Sequence, residues 1–382
     1  MLVFNAAIMG RAKCILFVFL LFITSLLGSI FILAPFTPLI YFSPRLWRAY
    51  ADTFVAIWLT LPASVCDLFF GVEIFVTGDL IDRHHAAIML MNHRTRLDWL
   101  FFWNVLYKMD PWLLTTEKIA LKAPLKHIPG AGWAMSCGSF LFLERRFESD
   151  KEVMNKIVKY YKDMDFRYQI LFFPEGTDRG PHAVRISDDF AAKNGLPKYD
   201  YVLHPRTSGF FHLLQLTRKG NYIKYVYDIT VAYPDRIISS EKELLVTGEF
   251  PKAIHFDVQK YDVRDLPIDE TEIEHWLRRK WFEKERKLRL FYEKEPNKRR
   301  FIPKLGQYTW PVRSTEIGYY LSFAFWTLSS IVWIYLTYHS FCFLCFVILS
   351  SIFFVLCQFR FKGFEFFVIE MFRRRMERKQ CF

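Results

Sequence analysis

The sequence has few cysteines where a soluble domain would use them. Of its seven, Cys14, Cys66, Cys342, Cys345 and Cys357 fall in or beside apolar stretches and Cys381 in a basic tail. Only Cys137 lies in the more polar middle. That excludes a disulfide framework and points to a reducing compartment. There is no N-x-S/T glycan acceptor, which agrees with a cytosolic face. Zinc-finger spacing and an RNA-binding aromatic signature are also missing, which removes the common nucleic-acid classes. No G-x-S-x-G elbow occurs, so a serine hydrolase is disfavoured. Charge is absent from the whole of 317–359. As one helix that stretch would run about 64 Å, twice the hydrocarbon thickness, so two crossings joined near Tyr338–Ser340 are expected.

What is present is grease and positive charge together. Hydrophobic residues make up 52% and aromatic ones 19%, with 41 Phe, against a formal net charge of +12. That balance fits a lipid bilayer with an anionic surface better than nucleic acid. The length allows one large domain or two small ones.

At the front, Cys14–Ala34 is uncharged and long enough to cross a bilayer. Arg11 and Lys13 precede it and no small-x-small cleavage site follows, so we read a retained signal anchor, ended by Pro35 and Pro38. Thr53–Cys66 is shorter, interrupted by Pro62 and closed by Asp67. We expect an interfacial or re-entrant helix there, with a plain core helix as the alternative. The basic tail from Arg360, including Arg373, Arg374 and Arg375, reads as cytosolic, which puts the middle of the chain on the same side. A single crossing at the front would leave Arg11 and Lys13 in the lumen; a full hairpin there would remove the conflict.

The chain is organised around Met91–Phe101, MNHRTRLDWLF. Before it, residues 86–91 form a short apolar run suited to a buried strand. After it, Leu97, Leu100, Phe101, Asn104 and Val105 recur at helical spacing. Within a regular helix, five residues turn about 500° and leave two side chains roughly 140° apart. His93 and Asp98 therefore meet only if His93 sits on the strand-to-helix turn and Asp98 in the first helical turn. An ionised carboxylate is favoured there. An Asp that accepts one ring N–H fixes the tautomer and leaves the other nitrogen for a substrate, as a general base requires.

Further strands are expected at Val72–Thr77, Ser139–Leu143, Gln169–Phe173 and Val226–Tyr233, with an edge strand at Lys252–Val263. Pro124–Trp133 reads as a loop, and Ile186–Tyr201 as a loop with a helical turn. Ser149 with Glu152 reads as a capping box. Thr271 and Glu274 cap a long helix with the stripe Ile273, Leu277, Trp281, Leu288 and Phe291. The strand ending at Phe173 runs into the charged, glycine-containing turn Pro174–Gly180, where an open α/β sheet places its ligand site. Arg206 stands on a tight segment between Pro205 and Gly209.

Taken together, NHRTRLDW, Arg145 after an apolar strand, FPEGT and VAYP occur in the order seen in glycerophospholipid acyltransferases. The resemblance covers roughly residues 80–240. The flanks LKAPLKHIPGAGWAM, FPEGTD, KNGLPKYDYVLHPRTSGF and DITVAYP are similar to the lysocardiolipin and lysophosphatidylinositol acyltransferase branch. The resemblance implies an α/β fold, an acyltransferase-type mixed sheet flanked by helices, between N-terminal and C-terminal transmembrane helices. With the membrane reading above, we divide the chain into an N-terminal membrane anchor with an interfacial or re-entrant helix (1–75), a catalytic domain with a long C-terminal helix (76–315), a transmembrane hairpin (316–359) and a basic tail (360–382), a layout similar to that branch's. The resemblance implies acyl-CoA as co-substrate, a lysophospholipid acceptor, no cofactor or metal, and residence in the endoplasmic reticulum membrane with a cytosolic catalytic domain. His93 and Asp98 become the catalytic pair. Glu175, Gly176 and Thr177 become acceptor-binding, and Arg145, Arg206 and Lys122 candidates for the phosphate. Many relatives carry Arg directly after Glu-Gly-Thr; here Asp178 intervenes before Arg179, and we expect the two to pair. Acylation of lysophosphatidic acid is the alternative within this chemistry. A silent membrane tether is the alternative outside it, disfavoured because a tether has no use for the dyad. A transporter is disfavoured because its spans would lack ionisable residues.

Overall fold

The computed structural model describes residues 2–303, 308–312 and 317–380. Cys381 and the boundary at 315 lie outside the described residues. Eight strands form among these: β1 (Glu73–Gly78), β2 (Ala86–Met91), β3 (Glu117–Lys122), β4 (Leu141–Leu143), β5 (Gln169–Phe172), β6 (Ile223–Ala232), β7 (Ala253–Asp262) and β8 (Tyr308–Val312). Two compact units interleave along the chain. The first comprises Met1–Ile15, Val65–Leu113 and Arg167–Thr315, the second Leu16–Ser64, Leu114–Phe166 and Glu316–Phe382.

The first unit carries a mixed sheet in the order β5-β2-β6-β7-β1-β8. β2 is parallel to both neighbours and β1 is parallel to β7, while β6–β7 and β1–β8 are antiparallel. All six residues of β2 are buried. Such a run has no polar alternation because helices cover both faces. On one face, Phe102 of the helix Asp98–Met109 packs against Phe256. On the other, the helix Glu270–Tyr292 sends Lys284 to Asp228 and Lys287 to Asp257. Phe256 and Asp257 are neighbours on β7, so they must point to opposite faces.

That geometry corrects the expected edge strand, because β7 lies inside the sheet between β6 and β1. Its polar alternation faces the long helix and its lysines, not water. The same helix is capped by Asp269, which accepts the Thr271 and Glu272 N–H groups; Thr271 is not the cap. Its predicted stripe is buried as expected. The first half of the expected loop at 186–201 belongs to the helix Pro181–Lys193, a longer helix than the expected turn. Ala191 is its one buried residue, and its half-buried positions mix Ala183 and Val184 with Ser187 and Asp188, so no clean apolar stripe marks it.

In the second unit β3 and β4 pair in parallel. The stretch 53–66 belongs to the longer helix Pro44–Leu68, with Pro62 inside it. An uncharged run underestimates this helix because Arg48 and Asp52 lie buried within it, paired at 2.8 Å, and Lys118 reaches Asp52 at 2.7 Å. The expected capping box is replaced by a helix that starts at Phe147. The loop at 124–133 contains a 3-10 turn, Ala123–His127, and the start of the helix Ala131–Cys137. Gly130 joins them at φ +78°, with the Leu26 backbone where a Cβ would stand. The charge-free C-terminal stretch forms two helices, Ile317–His339 and Phe341–Phe361, broken at Ser340. The tail is itself helical, Phe364–Gln380. Four helices, Ile8–Phe36, Pro44–Leu68, Ile317–His339 and Phe341–Phe361, are long and apolar enough to cross a membrane.

Candidate active site

The site grows from the end of β2. Asn92 locks that end to β6, its amide donating to the Val231 carbonyl and its oxygen accepting the Val231 N–H at 2.8 Å. His93 follows on the turn, and Asp98 is the first residue of the next helix. Their rings of donors and acceptors meet as the spacing requires, with His93 Nδ1 2.9 Å from Asp98 Oδ2.

Asp98 is fully buried and holds more than the histidine. The Thr95 N–H donates to Oδ2 at 2.9 Å, and the Tyr233 hydroxyl donates to Oδ1 at 2.5 Å. Burial and the neighbouring Asp98 push the Tyr233 hydroxyl well above its ordinary range, so it stays a donor. With Asp98 an acceptor, Nδ1 carries the proton and Nε2 the lone pair. His93 retains 14% exposure, and its ring stacks on Phe173 with centroids 4.3 Å apart.

The turn after β5 lies beside this pair. The Arg179 N–H donates to the His93 carbonyl at 2.9 Å, tying the turn to the histidine. Gly176 adopts φ +72°, and the Arg206 side chain runs alongside it. Its N–H is committed to the Phe173 carbonyl, so it is not free for a developing oxyanion. The Thr95 and Leu97 N–H groups are likewise taken, by Asp98 and by Thr95 Oγ1. Arg94 and Arg179 each have a buried Nε with no partner among the described residues. Asp178 pairs with Arg96 at 3.6 Å, which corrects the expected Asp178–Arg179 pair.

Glu175 is buried, and burial pushes its carboxyl up to about 7, against the pull of the Trp281 N–H and of His93. The Trp281 indole donates to Glu175 Oε1 at 3.0 Å. Thr177 sits on the same turn, its hydroxyl 3.4 Å from Asp178. Arg206 begins the helix Thr207–Arg218, and its N–H donates to the Pro174 carbonyl at 2.8 Å. The first unit thus brings together His93, Asp98, Glu175, Gly176, Thr177 and Arg206. Lys122 and Arg145 belong to the second unit. Lys122 ends β3, and Arg145 follows β4 at φ +65°. The turn bearing Arg145 is held by Asp150, which accepts the Glu144 N–H at 2.7 Å.

Sequence reading missed Tyr233, Thr95 and Trp281. Tyr233 was visible only as one letter of a motif, since nothing local links it to Asp98. Trp281 was visible only as part of an apolar stripe.

A family model described as Acyltransferase matches residues 73–234, and one described as Acyltransferase C-terminus matches 244–326. The first span contains the dyad, the glutamate turn, Arg206 and Tyr233; the second contains Trp281. Lysocardiolipin acyltransferase 1 of Gallus gallus is 47% identical over 281 residues, 74% of each chain. Lysophosphatidylinositol acyltransferase 10 of Caenorhabditis elegans is 43% identical over 287 residues, 74% of this chain and 73% of that one. Lysocardiolipin acyltransferase 1 of Mus musculus is 40% identical over 365 residues, 94% of this chain and 95% of that one.

Proposed function

The chain belongs to the acyltransferase family, and on that premise we propose that it is a membrane-bound acyl-CoA:lysophospholipid O-acyltransferase of the lysocardiolipin or lysophosphatidylinositol type. The observation that carries the mechanism is the buried Asp98, bonded by Thr95 and Tyr233 and holding His93 Nδ1. Relatives named for lysocardiolipin and lysophosphatidylinositol support the acceptor class. Helices long enough to span support work at a bilayer, and the endoplasmic reticulum with a cytosolic site is part of this reading.

An acceptor hydroxyl is far too weak an acid to ionise near neutrality, so it needs a base within hydrogen-bond reach. His93 Nε2 takes its proton as the oxygen attacks the thioester carbonyl carbon. Asp98 stabilises the imidazolium that forms. The tetrahedral intermediate collapses by breaking the carbon–sulfur bond, and His93 returns the proton to the departing CoA sulfur. The products are the acylated lipid and free CoA, with no acyl-enzyme. Arg94, next to His93 in the chain, and Arg179, whose N–H holds the His93 carbonyl, each have a buried Nε without a partner among the described residues and suit negative charge. Arg206, alongside Gly176, suits the acceptor phosphate through its paired donors. Glu175 binds an acceptor hydroxyl, since an anion would repel the phosphate itself. Lys122 and Arg145 remain proposed phosphate ligands.

The test offers purified protein a labelled acyl-CoA and a panel of lysophospholipids. Acylated lysocardiolipin or lysophosphatidylinositol is the expected product. Exclusive acylation of lysophosphatidic acid would replace this acceptor assignment, and no transfer to any of them would end the proposal.

A further inference from the structure

The long helix Glu270–Tyr292 lies outside the matched Acyltransferase span, within the C-terminal one. One of its faces nevertheless reaches the site at several points. Glu274 accepts the Thr207 hydroxyl at 2.6 Å, directly after Arg206. Trp281 donates its indole N–H to Glu175 Oε1 at 3.0 Å. Glu285 accepts the N–H groups of Asp200, Tyr201 and Val202 on the segment leading to Arg206. The steps from 274 to 281 and from 281 to 285 are those that keep residues on one helical face.

Trp281 is itself wholly buried, and the Lys284 ammonium stands 5.2 Å over its ring. Lys284 is fixed in turn to Asp228 of β6. The indole therefore has little freedom to turn away. Glu175 Oε2 is buried and accepts no side-chain hydrogen bond among the described residues, while the His93 and Leu203 backbone N–H groups also favour the carboxylate, so the indole is the one side chain that fixes its direction. The geometry points to Trp281 as a positioning residue that aims Glu175 at the acceptor, making the C-terminal helix part of acceptor recognition. This rests on the reading of Glu175 as acceptor-binding.

The charged or titratable groups facing Glu175 are His93 from the end of β2, Arg179 from its own turn and Lys284 beyond the indole. The indole N–H favours the ionised carboxylate. Removing it raises the pH at which Glu175 ionises, so acceptor binding by the carboxylate weakens at a higher pH than before.

The experiment compares wild type with Trp281→Phe, Glu175→Gln and the double variant, on enzyme shown to be folded by its thermal melt. Trp281→Phe keeps the aromatic bulk and deletes the donor. The acceptor KM should rise about tenfold, the size expected for loss of one charged hydrogen bond. kcat and the KM for acyl-CoA should stay near wild type. The acid-side rise in acceptor KM should move to higher pH, a change that a packing defect would not produce. The double variant should be no worse than Glu175→Gln, because Trp281 acts through Glu175. If Trp281→Phe fails to fold, Trp281→Leu, which also deletes the donor, is read for the same pH shift. An unmoved pH profile, or losses that multiply in the double variant, overturns the inference while leaving Glu175 in place. An unchanged acceptor KM in Glu175→Gln overturns the acceptor reading, and the inference falls with it.

Discussion

At the scale of single residues, the site is a chain of hydrogen bonds that ends on one acid. Asp98 receives His93, Thr95 and Tyr233 and is itself wholly buried. Tyr233→Phe removes a donor from a charged acceptor, a loss of about 1.5–3 kcal/mol. If most of that is felt in the transition state, kcat drops by about tenfold or more, with the acceptor KM unchanged. Steady-state kinetics decides it, and an unchanged kcat would make Tyr233 a packing residue only. The His93–Asp98 spacing was legible because five residues can meet only across a strand-to-helix turn. Tyr233 was not, because its approach to Asp98 depends on β6 lying beside β2. No local pattern encodes that pairing.

At the scale of elements, the helix Glu270–Tyr292 shows what periodicity reveals and what it hides. Its apolar stripe was plain in the sequence, and those residues are buried. On sequence alone its many Lys and Arg are most simply a solvated face, with membrane-surface contact the lesser reading, yet Lys284 is wholly buried against Asp228 at 2.5 Å. Burial depresses the Lys284 ammonium, and Asp228 opposes that shift. Removing one member of such a pair strands the other charge, at a cost of about 3–5 kcal/mol. Lys284→Met should therefore lower the unfolding free energy by that amount, while Lys284→Met with Asp228→Leu should recover most of it. Thermal or denaturant melts of both variants check this, and equal loss in the two would contradict it. The same limit explains β7 and the helix Pro181–Lys193. A polar alternation does not say whether water or a lysine-bearing helix faces it. A helix whose inner face mixes Ala183 and Val184 with Ser187 and Asp188 shows no clean apolar stripe.

At the scale of the molecule, the membrane reading and the titration of one buried acid can both be tested. Residues 317–359 were readable as two spans from the missing charge alone, whereas the helix Pro44–Leu68 was cut short by charges that pair inside the second unit. Protease treatment of sealed microsomes should remove a C-terminal tag, and a protected tag would reverse the orientation. In the second unit, burial pushes Glu365 up to about 7, against the pull of Lys126 and Ser136. A carboxyl raised on folding contributes stability that is complete below its unfolded value and is lost as pH rises toward the folded one. Over that window the loss is about 3 kcal/mol. Glu365→Gln should therefore raise Tm at pH 8.5 and have little effect at pH 4.5. A Tm change of the same size at both pH values would exclude this cause. The whole transfer depends on His93 as the base. Its most direct test is the single-turnover rate of transfer from labelled acyl-CoA to the preferred lysophospholipid, in wild type and in folded His93→Ala. The account predicts a rate lower by about 10²–10⁴ in the variant, with no label left on the protein of either. A His93→Ala rate near wild type, or label trapped on the wild-type chain, would contradict it.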